Sequence, residues 1–106
     1  MRITKEDGVL TVYLTGEIDH HTAKAMREEA DAALMQERPR VLRLDFSGVT
    51  FMDSSGVGLI MGRYQKASAL GAAVAVRGLT GRDERIVKMA GLGKLIRFEE
   101  RKEITV

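Results

Sequence analysis

The feature that most restricts this chain is a repeated change in its apolar period, from two residues to about three and a half and back. Leu10, Val12 and Leu14 alternate with polar neighbours, so Val9 to Thr15 reads as a strand with one face on a core. A shorter run, Arg2 to Lys5, precedes it, and Asp7-Gly8 between them suits the positive φ angles of a tight hairpin turn. From Thr22 the spacing turns helical: Ala23, Met26, Ala30, Ala33 and Leu34 form one stripe, and Pro39 marks its stop.

The pattern then repeats. Val41 to Phe46 alternates as a half-buried strand, and a second helix is predicted from Ser54 to Ala69. Asp53 serves as its N-cap, with Met52 and Val57 placed to form a hydrophobic staple. Gly58 and Gly62 are expected to let this helix lie close to a sheet; Arg63 directly after them argues against a membrane pairing motif. Ala73 to Arg77 is a short buried strand. Thr80 and Asp83 have the spacing of a reciprocal capping box for a third helix carrying Ile86, Val87, Met89 and Ala90, which Gly91-Leu92 closes. Leu95 to Phe98 is read as a last strand, and the charged tail from Glu99 to Val106 is too short to assign.

The order β-β-α-β-α-β-α-β implies an α/β fold with right-handed crossovers and a mostly parallel sheet of about five strands after the opening hairpin. A chain of 106 residues forms one such domain, spanning 1–106, and excludes catalytic machinery that needs a second lobe. The absence of Cys removes disulfides and thiolate metal sites. Without an apolar leader or a run of about 20 apolar residues, the expectation is a cytoplasmic protein with no membrane association. A net charge of +2 gives little reason to expect nucleic acid as a partner. That sum conceals an asymmetry: residues 1–37 carry four basic and eight acidic side chains, leaving the excess of base to the rest.

In open α/β sheets, sites form beyond the carboxyl ends of the strands. Three expected loops meet there, Gly16 to Thr22, Gly48 to Ser55 and Gly78 to Thr80, and they bring Glu17, Asp19, His20, His21, Asp53, Ser54 and Ser55 to one edge. A serine nucleophile would need a base, a group orienting that base and an oxyanion hole; Met52-Asp53-Ser54-Ser55-Gly56 lacks the glycine that precedes the serine in a nucleophile elbow. Asp19-His20-His21 lacks the i, i+4 spacing of helical metal ligands. Gly56 to Gly62 is one residue too long for a dinucleotide fingerprint. No catalytic residue, metal or cofactor is therefore assigned. What remains is a pair of serines at the positive end of a helix, where free amides and the macrodipole tolerate a phosphate. Periodicity does not choose between Ser54 and Ser55.

Two strings carry a resemblance: Gly16-Glu17-Ile18-Asp19-His20-His21-Thr22-Ala23, and Phe51-Met52-Asp53-Ser54-Ser55-Gly56-Val57-Gly58 continuing to Gly62-Arg63-Tyr64. With Met89-Ala90-Gly91-Leu92 and Ile96-Arg97-Phe98, the chain resembles the single-domain STAS proteins that act as anti-sigma factor antagonists. The Asp-His-His-Thr and Phe-Met-Asp-Ser-Ser-Gly strings resemble the sporulation type more than the general-stress type, which stays the alternative.

The resemblance implies a mixed sheet with helices packed largely on one side and a partner-switching role. The unphosphorylated protein would bind an anti-sigma factor that is also a serine kinase and uses ATP, freeing the sporulation sigma factor. Phosphorylation would release the antagonist, and a serine phosphatase would restore it. The phosphorylated residue would be Ser54, and the partner-binding residues Asp19, His20, His21, Thr22, Asp53, Ser54, Ser55 and Gly56, with Asp19 meeting a basic group of the kinase. The acidic first third likewise leads to the expectation of an electropositive partner surface. A monomer is expected when the protein is free. STAS proteins usually continue into an apolar C-terminal helix, where this chain has the polar stretch Glu99 to Val106.

Overall fold

In the computed structural model, which describes residues 1–99, five strands form one sheet in the order β1-β2-β3-β4-β5. They are β1 (Arg2–Glu6), β2 (Val9–Ile18), β3 (Val41–Met52), β4 (Ala73–Arg77) and β5 (Arg97–Glu99). β1 is antiparallel to β2 and every later pairing is parallel. The hairpin turn needs left-handed backbone at two successive residues, and Asp7 (φ 53°) and Gly8 (φ 77°) supply it. The helices are α1 (His20–Glu37), α2 (Ser54–Ala69) and α3 (Gly81–Met89), with a short 3-10 turn at Leu92–Lys94. No helix among the described residues is long and apolar enough to cross a membrane.

The expected fold class holds, and strand alternation explains its one-sidedness. Leu10, Val12 and Leu14, Leu42, Leu44 and Phe46, and Val74 and Val76 all point into a single core that also takes Ala30 and Leu34 of α1, Leu59, Ile60 and Ala67 of α2, and Val87 of α3. The intervening residues Thr11, Tyr13, Arg43, Asp45 and Arg77 lie on the opposite face. There, two guanidinium–carboxylate pairs span the strands, Arg77 to Asp45 at 2.7 Å and Arg43 to Glu99 at 2.6 Å.

Several local expectations are corrected. Strands β2 and β3 continue past Thr15 and Phe46 to Ile18 and Met52, so the first two of the three expected loops are strand and helix apart from the caps Asp19 and Asp53. Helix α1 begins at His20 rather than Thr22. Gly58 and Gly62 do not face the sheet: a Cβ at either would meet nothing within 4 Å, and Gly56 is the glycine packed closely, under the Met52 side chain. The capping box at α3 is only half made, with Thr80 Oγ1 accepting from the Asp83 amide and no return bond. Leu95 is exposed beside the 3-10 turn, and the last strand starts only at Arg97 because the αL residue Gly91 and that turn consume the preceding chain. The tail beyond Glu99 lies outside the described residues.

The open face makes a pH prediction. Burial pushes the Asp45 carboxyl up, but the Arg77 guanidinium and Ser47 outweigh it and hold Asp45 below the usual 3.8. A lowered folded value stabilises the native state above the unfolded value, and that contribution disappears as pH falls through the folded one. Asp45→Asn is therefore expected to lower the urea midpoint at pH 7, with the difference from wild type closing below about pH 4; equal midpoints at pH 7 would refute the role given to this pair.

Candidate functional site

The site rests on a prolongation of the parallel β2–β3 pairing. After irregular register between Tyr13 and Glu17, Glu17 pairs with Phe51 and Ile18 with Met52, beyond the residues that β4 pairs. Gly16 adopts φ 79° within this stretch, and a Cβ on Gly48 would strike the Thr15 side chain and the Leu14 carbonyl, so the irregularity depends on both glycines. Buried Ile18 and Met52 anchor the two strand ends side by side. Each strand then turns directly into a helix, α1 through Asp19 and α2 through Asp53, and the Asp53 amide bonds to the Ile18 carbonyl at 3.3 Å.

Asp19 is a full capping-box residue. Its Oδ1 accepts from the amides of His21 and Thr22, each at 2.9 Å, while its own amide donates to Thr22 Oγ1 at 3.0 Å. Thr22 Oγ1 in turn donates to the Glu17 carbonyl at 2.8 Å, which ties the helix start to the strand before it. The Thr22 amide is the main reason that the Asp19 carboxyl lies below its usual value, so this cap stays ionised at neutral pH. The residue expected to meet a partner's basic group thus has one oxygen committed to α1.

Asp53 caps α2 with a 2.7 Å bond from the Ser55 amide and remains exposed. Ser54 is the first residue of the helix, exposed, and Ser55 is half-buried. Neither serine hydroxyl makes a hydrogen bond within the described residues. Gly56 is buried because Met52 lies across it; its place is set by packing as much as by any partner.

A groove of about 460 Å³ separates the first turns of α1 and α2. Its lining includes His20, His21, Lys24, Arg27, Ser55 and Gly58. Ser54, the residue before Ser55, is exposed and does not line it, so the two serines face different surroundings. Phe51, 48% exposed, adds an apolar side chain beside Glu17. The structure therefore brings together the predicted residues of both strand ends and adds Phe51, Lys24 and Arg27. Their signals in the sequence are an aromatic at a strand's exposed end and two cations one helical turn apart.

His20 and His21 share the groove with Ser55, yet no serine–histidine hydrogen bond forms, and Asp19 Oδ1 serves backbone amides rather than an imidazole. The charge relay of a serine hydrolase is not assembled. Among the described residues no group of three metal-ligating side chains converges.

Residues 1–103 match the family model described as the STAS domain. The chain belongs to the STAS domain family. An anti-sigma F factor antagonist of Paenibacillus polymyxa is 38% identical over 84% of this chain and 76% of its own length. Two solved structures share its fold. The anti-sigma factor antagonist SpoIIAA in its unphosphorylated form gives a TM-score of 0.76 at 22% identity, covering 95% of this chain and 88% of that one. The Bacillus cell fate determinant SpoIIAA in the phosphorylated form gives 0.76 at 25% identity, covering 96% and 91%.

The glycines of α2 give this STAS domain a paired test. Gly56→Ala must displace Met52 and is expected to destabilise the fold by about 1–3 kcal/mol, the range for overpacking. Gly62→Ala meets open space and is expected to stabilise by about 0.5–1 kcal/mol through helix propensity. Urea unfolding of the two variants measures both, and effects of the same sign would contradict the packing described.

Proposed function

We propose that this STAS protein is an anti-sigma factor antagonist whose edge around Ser54 is a phosphorylation-controlled binding surface. Unphosphorylated, it binds an anti-sigma factor that is also a serine kinase and frees the sporulation sigma factor. The kinase then transfers phosphate from ATP to Ser54, the complex separates, and a phosphatase resets the protein. It acts as a binding partner and substrate in the cytoplasm, not as an enzyme.

The observation that carries this reading is the division of labour at the start of α2. Asp53 already satisfies the helix amide, so the Ser54 hydroxyl is free and exposed at the first helical position. Phosphate there would bring about −1.5 to −2 charges against the helix N-terminus, which offsets part of the repulsion from Asp53. The helix can therefore carry the group without melting. Solved SpoIIAA structures in the unphosphorylated and the phosphorylated form both share this fold, as a switch that works by surface charge and bulk requires. Glu17, Asp53 and Phe51 supply the charge and apolar area that a partner would cover, and phosphate would enlarge the negative charge at its centre.

Incubation with the cognate anti-sigma kinase and ATP tests the reading. Mass spectrometry is expected to map one phosphate to Ser54, abolished in Ser54→Ala and retained in Ser55→Ala. Binding to the kinase is expected to weaken at least tenfold on modification while the amide spectrum away from α2 stays unchanged. Phosphate persisting in Ser54→Ala, or a phosphoprotein that binds as well as the unmodified one, overturns it.

A further inference from the structure

The seam between α1 and α2 holds more positive charge than the chain itself compensates. Arg63 is 3% exposed and faces Asp31, with Nε 2.7 Å from Oδ1, and Lys66 approaches the other oxygen of the same carboxylate at 3.8 Å. Arg27 adds repulsion to Arg63, and the buried Nη1 of Arg63 has no hydrogen-bond partner. One turn before Arg27, Lys24 continues the row into the groove beside Ser55. Among the described residues Lys24 and Arg27 have no carboxylate partner, unlike Arg63 and Lys66 on the same seam, which share the carboxylate of Asp31. The two unpaired side chains line a groove that also receives the N-terminal ends of both helices, whose dipoles add positive potential.

We infer that this groove receives an acidic segment of the partner protein, with carboxylates seated between Lys24, Arg27 and the amide ends of α1 and α2. The inference rests on the partner-binding role proposed for the adjoining edge, and it changes the complement expected there. A partner that is only electropositive fits Glu17 and Asp53 but not the groove. The partner's surface must be bipartite, basic over the Ser54 edge and acidic over α1. Ser55, which lines the groove, directly follows exposed Ser54 in the chain, so one continuous protein interface can cover both. Opposite charges set side by side fix the register of docking and suppress like-charged competitors.

Titration of the isotope-labelled protein with a hexaglutamate peptide tests the groove without any anti-sigma factor. Amide shifts are expected at Lys24, Arg27, Ser55 and Gly58, diminishing as salt rises and lost in Lys24→Glu/Arg27→Glu. Both side chains are exposed, and Lys24→Gln/Arg27→Gln provides a milder variant should the double reversal fail to fold. Shifts that survive in the folded variant, or that inorganic phosphate reproduces at lower concentration than the peptide, overturn the inference. In the complex, the same variant is expected to bind the anti-sigma factor at least tenfold more weakly before phosphorylation. Unchanged binding would remove the groove inference and leave the Ser54 switch standing. A wild-type protein that bound the peptide but no anti-sigma factor would instead remove the switch.

Discussion

The parallel pairing of Glu17 with Phe51 and Ile18 with Met52 is the interaction on which the rest of the edge depends. Two strands that ended at Thr15 and Phe46 would leave Asp19 and Asp53 on separate loops of several residues each. Carried forward together, they deliver two aspartates side by side, each at the moment its strand becomes a helix. Side-chain caps then replace the backbone pairing that the strands can no longer provide. Rigid backbone therefore reaches to within one residue of Ser54, and an exposed hydroxyl is held on a defined frame with no loop between them.

The cost of this arrangement appears on the helical layer. Bringing α1 and α2 together over one face of the sheet buries Arg63 against Asp31, and the close approach of Nε to Oδ1 lacks the alignment of a hydrogen bond. Desolvation, foremost, and the nearby Arg27 both lower the Arg63 pKa, and Asp31 offsets them only in part. A hydrophobic residue at this position would pack without that penalty. The retained charge holds the α1–α2 seam positive, and the groove at its end inherits the field.

Much of this was legible in the residues. The alternation of Leu10, Val12 and Leu14, the stripe through Ala30 and Leu34, and Asp53 as a cap led to the element order, the sheet and the core without a structure. What was not legible had one common cause, that the deciding neighbour lies far away in sequence. The extension of β2 through Gly16 depends on β3, where Gly48 leaves room for Thr15; alone, Thr15-Gly16-Glu17 looks like a loop. Gly58 and Gly62 carry the spacing of a packing motif, but the helix turns Gly56 toward Met52 instead. Arg63 reads as a solvated charge until Asp31, on another helix, is set against it. The two string motifs carry the resemblance that singles out Ser54, whereas Lys24 and Arg27 belong to neither string and come into view only with α1 beside α2.

Under the proposed function, the placement of Ser54 and Ser55 makes two adjacent hydroxyls unequal as sites for a switch. Successive helical residues point about 100° apart, so Ser55 lines the basic groove while exposed Ser54 does not. A phosphate on Ser55 would enter the groove that Lys24 and Arg27 also line, where their charges would offset it. On Ser54 the same group stands beside Asp53, exposed, and its charge adds to the acidic edge instead of cancelling against the groove. A switch that works by repelling a docked surface needs the second position. The capping aspartate, by occupying the Ser55 amide and leaving the Ser54 hydroxyl unused, keeps that position available.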